Sequence, residues 1–171
     1  AQNRAIMSMA HSAENKWCFL GLVLSAGGAF KWLRDTVFPM QKEACAKNGT
    51  DIYDYMTSLA AQAQPGCEGL TFLPYLNGEK TPISDENARG VLFGLSYRHG
   101  INEIARSVME GITFAMRDSV EICREMGHSV TEIRANGGGA KSELWLHMQA
   151  DIYKSQVVTM NVEEGPAAGA A

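Results

Sequence analysis

The sequence predicts an α/β domain with a mixed sheet flanked by helices. Three observations carry this expectation: short apolar runs alternate with helix-periodic segments, the first two strand-like runs are separated only by a polar turn, and two strand-to-helix junctions are lined by glycine. With 171 residues, 46% of them hydrophobic, the chain can enclose one substantial core but not two, so a single domain over 1–171 is expected.

The elements follow in order. Residues 5–10 (AIMSMA) and 17–24 (WCFLGLVL) are apolar and short, and the polar stretch 11–16 between them makes a hairpin. Ser25-Ala26-Gly27-Gly28 is a small-residue bend that leads into a helix over 29–35. Thr50 is the expected N-cap of a helix in which Ile52, Tyr55, Met56, Leu59, Ala60 and Ala63 recur at helical spacing, and Pro65-Gly66 ends it. A strand over 69–73 precedes a long loop, 74–90, punctuated by Pro74, Gly78, Pro82 and Gly90; structureless segments of that length inside compact domains tend to serve function. Asn102 is the expected cap of a helix running to Met126, with Ile104, Val108, Ile112, Ala115 and Ile122 near one stripe and Gly127 as the left-handed exit. Then come a strand over 132–135, the glycine loop Gly137-Gly138-Gly139, a helix over 141–153, a strand over 156–160, the acidic bend Glu163-Glu164-Gly165 and the start of a last helix.

Composition excludes several classes of partner. Fifteen basic against nineteen acidic residues give a formal net charge of −4, which offers no broad cationic surface to a nucleic acid. The four cysteines, Cys18, Cys45, Cys67 and Cys123, form no C-x-x-C pair and read as reduced, mostly buried thiols. There is neither a signal-like start nor an apolar run long enough to cross a bilayer, so a soluble cytoplasmic protein is expected. Both ends read as cut, the first opening on a strand and the second closing on Pro166-Ala167-Ala168-Gly169-Ala170-Ala171 where a helix starts.

The chemistry centres on the two glycine junctions. Gly137-Gly138-Gly139-Ala140 lies between strand and helix, where unobstructed amides and the positive end of a helix dipole can approach a phosphate or nucleotide; it is neither a P-loop nor G-x-G-x-x-G, because Ser142 stands where the third glycine would be. Ser25-Ala26-Gly27-Gly28 repeats the arrangement, and two helix entries can grip one ligand. For Gly137-Gly138-Gly139 a tight helix entry is an equally open explanation, and for Gly27-Gly28 close packing of helix on strand is the more common cause of a small-residue pair. Of the loop cations Lys80, Arg89, Arg98 and Lys141, the last is best placed for a phosphate, and solvated surface charge is the alternative for each. His11, His99, His128 and His147 lack metal-ligand spacing and read as capping or surface residues; Glu163-Glu164 read as solvent-facing, with a metal-bound water as the alternative, and Glu110 as a snorkelling or helix-paired carboxylate, with a buried one as the alternative. No Ser/His/Asp set or close pair of carboxylates emerges.

Phe72-Leu73-Pro74-Tyr75-Leu76-Asn77-Gly78-Glu79-Lys80-Thr81-Pro82, Ala88-Arg89-Gly90 and Phe93-Gly94-Leu95 resemble a stretch found in the FGGY family of carbohydrate kinases, and Gly90 through Glu103-Ile104 to Ser107-Val108-Met109-Glu110 resembles its C-terminal signature. Gly137 to Ser142 with Leu144-Trp145 and Ala150-Asp151 resembles the family's adenosine-binding strand, loop and helix. Ser25 to Gly28 with Trp32-Leu33-Arg34-Asp35 resembles its second phosphate-binding junction, and Glu163-Glu164-Gly165 its closing helix start.

The resemblance implies a ribonuclease H-like, actin-like ATPase fold, with this chain as the C-terminal nucleotide-binding domain of a two-domain kinase. ATP and Mg²⁺ are the implied cofactors, and a small sugar held mainly by an N-terminal domain is the implied substrate. Gly27, Gly28, Gly137, Gly138, Gly139 and Ala140 match nucleotide-lining positions, and Lys31 and Lys141 complete the candidate set. The general-base aspartate and the first phosphate loop of the family would lie upstream of Ala1, so the 171 residues alone are expected to be inactive. Xylulose is the implied acceptor; gluconate, ribulose and glycerol kinases of the same family, a non-catalytic nucleotide- or sugar-sensing module, and an unrelated Rossmann-like domain are the alternatives. Self-association into a homodimer is a further implication of the family.

Overall fold

The computed structural model describes residues 6–160, and the bend at Glu163-Glu164-Gly165 with its following helix lies outside them. The chain begins with the expected hairpin. Strand β1 (Met7–Ala10) pairs antiparallel with β2 (Trp17–Leu20), Met7 opposite Leu20 and Ala10 opposite Trp17. The second strand stops at Leu20 rather than Leu24, because the backbone of the next residues is bonded to a distant loop instead.

Helix α1 (Ala26–Val37) starts three residues earlier than its sequence suggested, which puts Gly27 and Gly28 inside its first turn rather than in the bend before it. Helix α2 (Pro39–Asn48) was not expected, since none of its residues is buried and it has no apolar face to betray it. Its ends did carry a signal: Pro39 at the first turn, and Gly49 in the left-handed region at φ 67°. Helix α3 (Ile52–Ala60) is capped by Asp51, whose side chain accepts the Tyr53 N–H at 2.8 Å, and not by Thr50. A 3₁₀ turn, Cys67–Gly69, shortens the next strand to β3 (Thr71–Leu73). That strand pairs antiparallel with β4 (Val91–Phe93), an element hidden in the sequence because it spans only three residues.

Helix α4 (Ile101–Glu125) is the centre of the molecule. Gly100, not Asn102, precedes its first turn, and the Gly100 N–H donates to Glu103 Oε2 at 2.8 Å. Every residue from Ala105 to Thr113 is buried, so this stretch is enclosed on all sides and not only along the expected stripe. Around it gather Ala29, Phe30 and Leu33 of α1, Met56 and Ala60 of α3, and Phe72 of β3. The close approach of β3 requires a glycine on α4: a Cβ on Gly111 would collide with the Phe72 carbonyl oxygen.

Strand β5 (Glu132–Ala135) and helix α5 (Glu143–Tyr153) lead to β6 (Gln156–Thr159), which pairs parallel with β5. The intervening helix supplies the crossover that a parallel pair needs. Among the described residues the strands form three two-stranded pieces, two antiparallel and one parallel, so both pairing senses of the expected mixed sheet are present. All four cysteines are free thiols, but only Cys67 is buried, which corrects the expectation that most would be. No helix among the described residues is long and apolar enough to cross a membrane.

Candidate nucleotide site

At the first junction Ser25 is the residue before α1, and it makes no side-chain cap bond. The first backbone bond of the helix runs from Ala29 N–H to Ser25 O, which leaves the Ala26, Gly27 and Gly28 N–H groups as the unsatisfied donors of a helix start. No acidic residue occupies this turn, and Lys31 is exposed one turn further on. A Cβ added at Gly27 or Gly28 would meet nothing within 4 Å. Packing therefore does not explain these two glycines, in contrast to Gly111.

The second junction is built differently from its expectation. Gly137 has φ 81° and ψ −167°, a region open to glycine alone, and its N–H is held by Asn136 Oδ1 at 2.7 Å. Residues Gly138–Lys141 then form a 3₁₀ turn, and α5 begins only at Glu143. Lys141 is thus an exposed turn residue outside the helix. One donor of the first turn of α5 is taken by Ser142, whose Oγ accepts the Trp145 N–H at 3.3 Å, and the turn carries Glu143. A carboxylate there opposes an anion at the end of the dipole. Cβ atoms on Gly137 and Gly138 would meet nothing within 4 Å, while one on Gly139 would rest 3.5 Å from the Trp145 ring. This loop thus has open backbone but no phosphate-attracting helix end, which suits the uncharged part of a ligand better than its anion.

Two aromatic rings join the junctions. Trp145, which lies under Gly139, meets Phe30 of the second turn of α1 edge-to-face at 5.2 Å between centroids. Trp145 is fixed from behind, its Nε1–H donating to Thr113 Oγ1 at 2.9 Å while the Thr113 hydroxyl donates to Met109 O at 2.7 Å. Phe30 also stacks on Tyr53, whose hydroxyl accepts from Arg34 at 2.8 Å. The resemblance places Trp145 in the adenosine-binding stretch, but its contact with Phe30 leaves no sign in the sequence, since an aromatic residue at helical spacing does not show which junction it will bridge.

The remaining candidates are engaged within the chain. Lys80 Nζ reaches Ser84 Oγ at 3.3 Å, Arg89 donates to the carbonyls of Glu86 and Ala88, and Arg98 pairs with Glu68 at 3.6 Å. His11 and His99 act as caps, their Nδ1 atoms accepting the Ala13 and Ser96 N–H groups, each at 2.9 Å. Glu110 is paired along its helix as expected, with Arg106 at 2.7 Å, but the pair is also buried and Glu110 accepts the Gly66 N–H. A cavity of about 420 Å³ lies beside this pair, lined among others by Tyr75, Phe114 and Asp118. Burial, foremost, raises the Asp118 carboxyl above its ordinary range; Arg117 pulls the other way, and Glu79 adds to the rise. Among the described residues no three His, Cys, Asp or Glu side chains group so as to hold a metal ion.

The strands, glycine junctions and helices make an α/β domain, and its likeness to the solved sugar kinases gives it their ribonuclease H-like, actin-like ATPase fold. The chain matches the description "FGGY family of carbohydrate kinases, C-terminal domain" over residues 3–171. It is 40% identical over 161 residues to a xylulose kinase of Staphylococcus epidermidis, a match covering 94% of this chain and 30% of that protein. Among solved structures it resembles a gluconate kinase from Lactobacillus acidophilus with TM-score 0.78 and 31% identity, and a ligand-bound xylulose kinase from the same organism with TM-score 0.75 and 32% identity. Each of these alignments covers 94% of this chain and 30% of the other. The chain belongs to the FGGY family of carbohydrate kinases, and it spans about 30% of the length of the relatives it matches.

Proposed function

We propose that the protein containing this chain transfers the γ-phosphoryl group of ATP to a hydroxyl of a sugar, D-xylulose foremost, and that these residues supply the ATP-binding half. The observation that carries the reading is the pair of junctions whose glycines are not demanded by packing, tied together by the Phe30–Trp145 contact. In this reading the Ala26, Gly27 and Gly28 amides, with Lys31 nearby, receive phosphate oxygens, as an acid-free helix start can. Gly137, Gly138, Gly139 and Ala140, with Lys141, line the adenosine. The open space beside Gly27, Gly28, Gly137 and Gly138 fits such a ligand.

ATP supplies the transferred group. What this chain contributes is positioning and fixed donors toward the developing charge, which are the main resources of phosphoryl transfer. Mg²⁺, bound together with ATP, would neutralise the phosphate charge that develops during transfer. The general-base aspartate and the acceptor pocket belong to an N-terminal domain in this proposal, so the 171 residues alone remain inactive. Self-association and a cytoplasmic location belong to the same reading.

Xylulose is favoured by the 40% identity to the Staphylococcus epidermidis enzyme, and gluconate is the second reading because a gluconate kinase is among the structural relatives. The test is ADP release by the full-length protein, coupled to NADH oxidation, across xylulose, gluconate, ribulose and glycerol. Release dependent on xylulose supports the proposal; release with gluconate alone shifts the acceptor; no release with any sugar sinks it. Light scattering of the same preparation reads the oligomeric state.

A further inference from the structure

The long loop over 74–90 carries a buried carboxylate that the nucleotide reading does not use. Glu79 is 2% exposed. Its Oε1 accepts the Leu24 N–H at 3.1 Å and the Lys80 N–H at 2.7 Å, while Oε2 is buried with no hydrogen-bond partner. Two residues on, Thr81 is fully buried, its Oγ1 accepting the Leu22 N–H and its own N–H donating to Leu22 O, both at 3.0 Å. Leu22 and Leu24 therefore take backbone partners from this loop, where a continuing β2 would have taken them from a sheet. Gly21, just before, lies so close to α4 that a Cβ would collide with the Ser119 side chain.

The loop is cross-bonded within itself. Glu79 and Asp85 exchange both backbone hydrogen bonds, at 2.9 and 2.8 Å, and Asn87 N–H is held by Asp85 Oδ1 at 2.8 Å. Gly78 sits at φ 74° with the Glu86 backbone 2.9 Å from where its Cβ would be. A half-satisfied carboxylate in such a place is unfavourable for stability alone, and departures of this kind concentrate where function requires them. The segment it holds ends at Leu24 and runs directly into Ser25 and the first turn of α1.

We propose that Glu79 is a positioning residue for the phosphate-binding junction: by fixing the Leu24 amide it sets where the Ala26, Gly27 and Gly28 amides point. The inference rests on the nucleotide reading of that junction and adds to it a residue that touches no ligand. Thr81 performs the same task one step upstream, at Leu22.

The experiment uses the full-length protein and steady-state kinetics in ATP and in sugar separately, on Glu79→Ala, Glu79→Gln, Thr81→Val and, as a control of the reading itself, Gly27→Val. Removing the acceptor in Glu79→Ala raises the KM for ATP roughly tenfold or more with the sugar KM unmoved, since small displacements of positioned groups are amplified in transfer chemistry. Glu79→Gln, which keeps an acceptor oxygen, recovers most of that loss; Thr81→Val, if Glu79→Ala does not fold, shows the same ATP-selective defect. A Gly27→Val defect in ATP without one in Glu79→Ala or Thr81→Val overturns the positioning role and leaves the nucleotide site standing. If Gly27→Val is silent as well, the nucleotide reading fails and the inference fails with it. A loss of thermal stability in Glu79→Ala with no change in the KM for ATP equally overturns it.

Discussion

Replacement of Trp145 tests how the two junctions are held in register. The indole is 8% exposed, so nearly its whole surface is lost from the interior on truncation to alanine. An aromatic ring of this size buries roughly 150–250 Å². At about 25 cal/mol per Å² that corresponds to roughly 4–6 kcal/mol, of which partial collapse of the site recovers some. The expected cost of Trp145→Ala is therefore about 3–5 kcal/mol. Trp145→Phe keeps a ring against Phe30 and loses the bond to Thr113, whose hydroxyl still donates to Met109 O and is not orphaned, so its cost is about 1–2 kcal/mol. Urea unfolding of the full-length protein, followed by circular dichroism, reads both numbers. In folded Trp145→Phe the KM for ATP should rise only slightly, and in Trp145→Ala, below its unfolding midpoint, several-fold. A Trp145→Ala protein within about 0.5 kcal/mol of wild type, a difference expected only of surface positions, would show that the indole does not hold the junctions together. So would one that is destabilised yet binds ATP as before.

Gly111→Ala, which drives a Cβ into the Phe72 carbonyl, should destabilise by about 1–3 kcal/mol, whereas Gly28→Ala, with open space and a helical site, should stabilise by up to about 1 kcal/mol while weakening ATP binding; thermal melts with and without ATP separate the two. Glu110→Ala leaves the Arg106 guanidinium buried and without its carboxylate, and should cost about 3–5 kcal/mol in denaturant unfolding. Burial, reinforced by Glu110, pushes the Cys67 thiol up to about 12 from an ordinary 9.0, so its contribution to stability is complete below pH 9 and is lost as pH rises toward 12. Replacing it with alanine should flatten that part of the pH–stability curve, and native Cys67 should resist iodoacetamide at pH 8 until the protein is unfolded.

The sequence was most legible where periodicity and punctuation coincide. Helix α4 is visible because its apolar stripe runs over many turns and ends at Gly127, and β5 with its glycine loop because strand, glycine and helix follow without interruption. Helix α2 was not legible because it buries nothing, so only its proline and left-handed glycine speak for it. Strand β4 was not, because three residues show no alternation and its partner lies across the 74–90 loop. Boundaries moved for a physical reason as well: Asp51 outcompetes Thr50 as a cap because its carboxylate reaches the Tyr53 N–H, and Ser142 moves the start of α5 past Lys141 by capping the Trp145 N–H. That last shift matters most for the site. Two junctions alike in sequence became unlike in structure, one an open helix start and the other a 3₁₀ turn ahead of a capped, acid-bearing helix. The role of Glu79 was hidden because hydrogen bonds to a segment 55 residues away leave no local pattern.

That difference makes the account directly measurable by calorimetric titration of the full-length protein with adenosine and with ADP, comparing wild type, Gly28→Val and Gly138→Val. The expected result is that Gly28→Val weakens ADP strongly and adenosine little, and that Gly138→Val weakens both. Adenosine binding untouched by Gly138→Val, or weakened by Gly28→Val as much as ADP is, would contradict one nucleotide spanning the two glycine junctions.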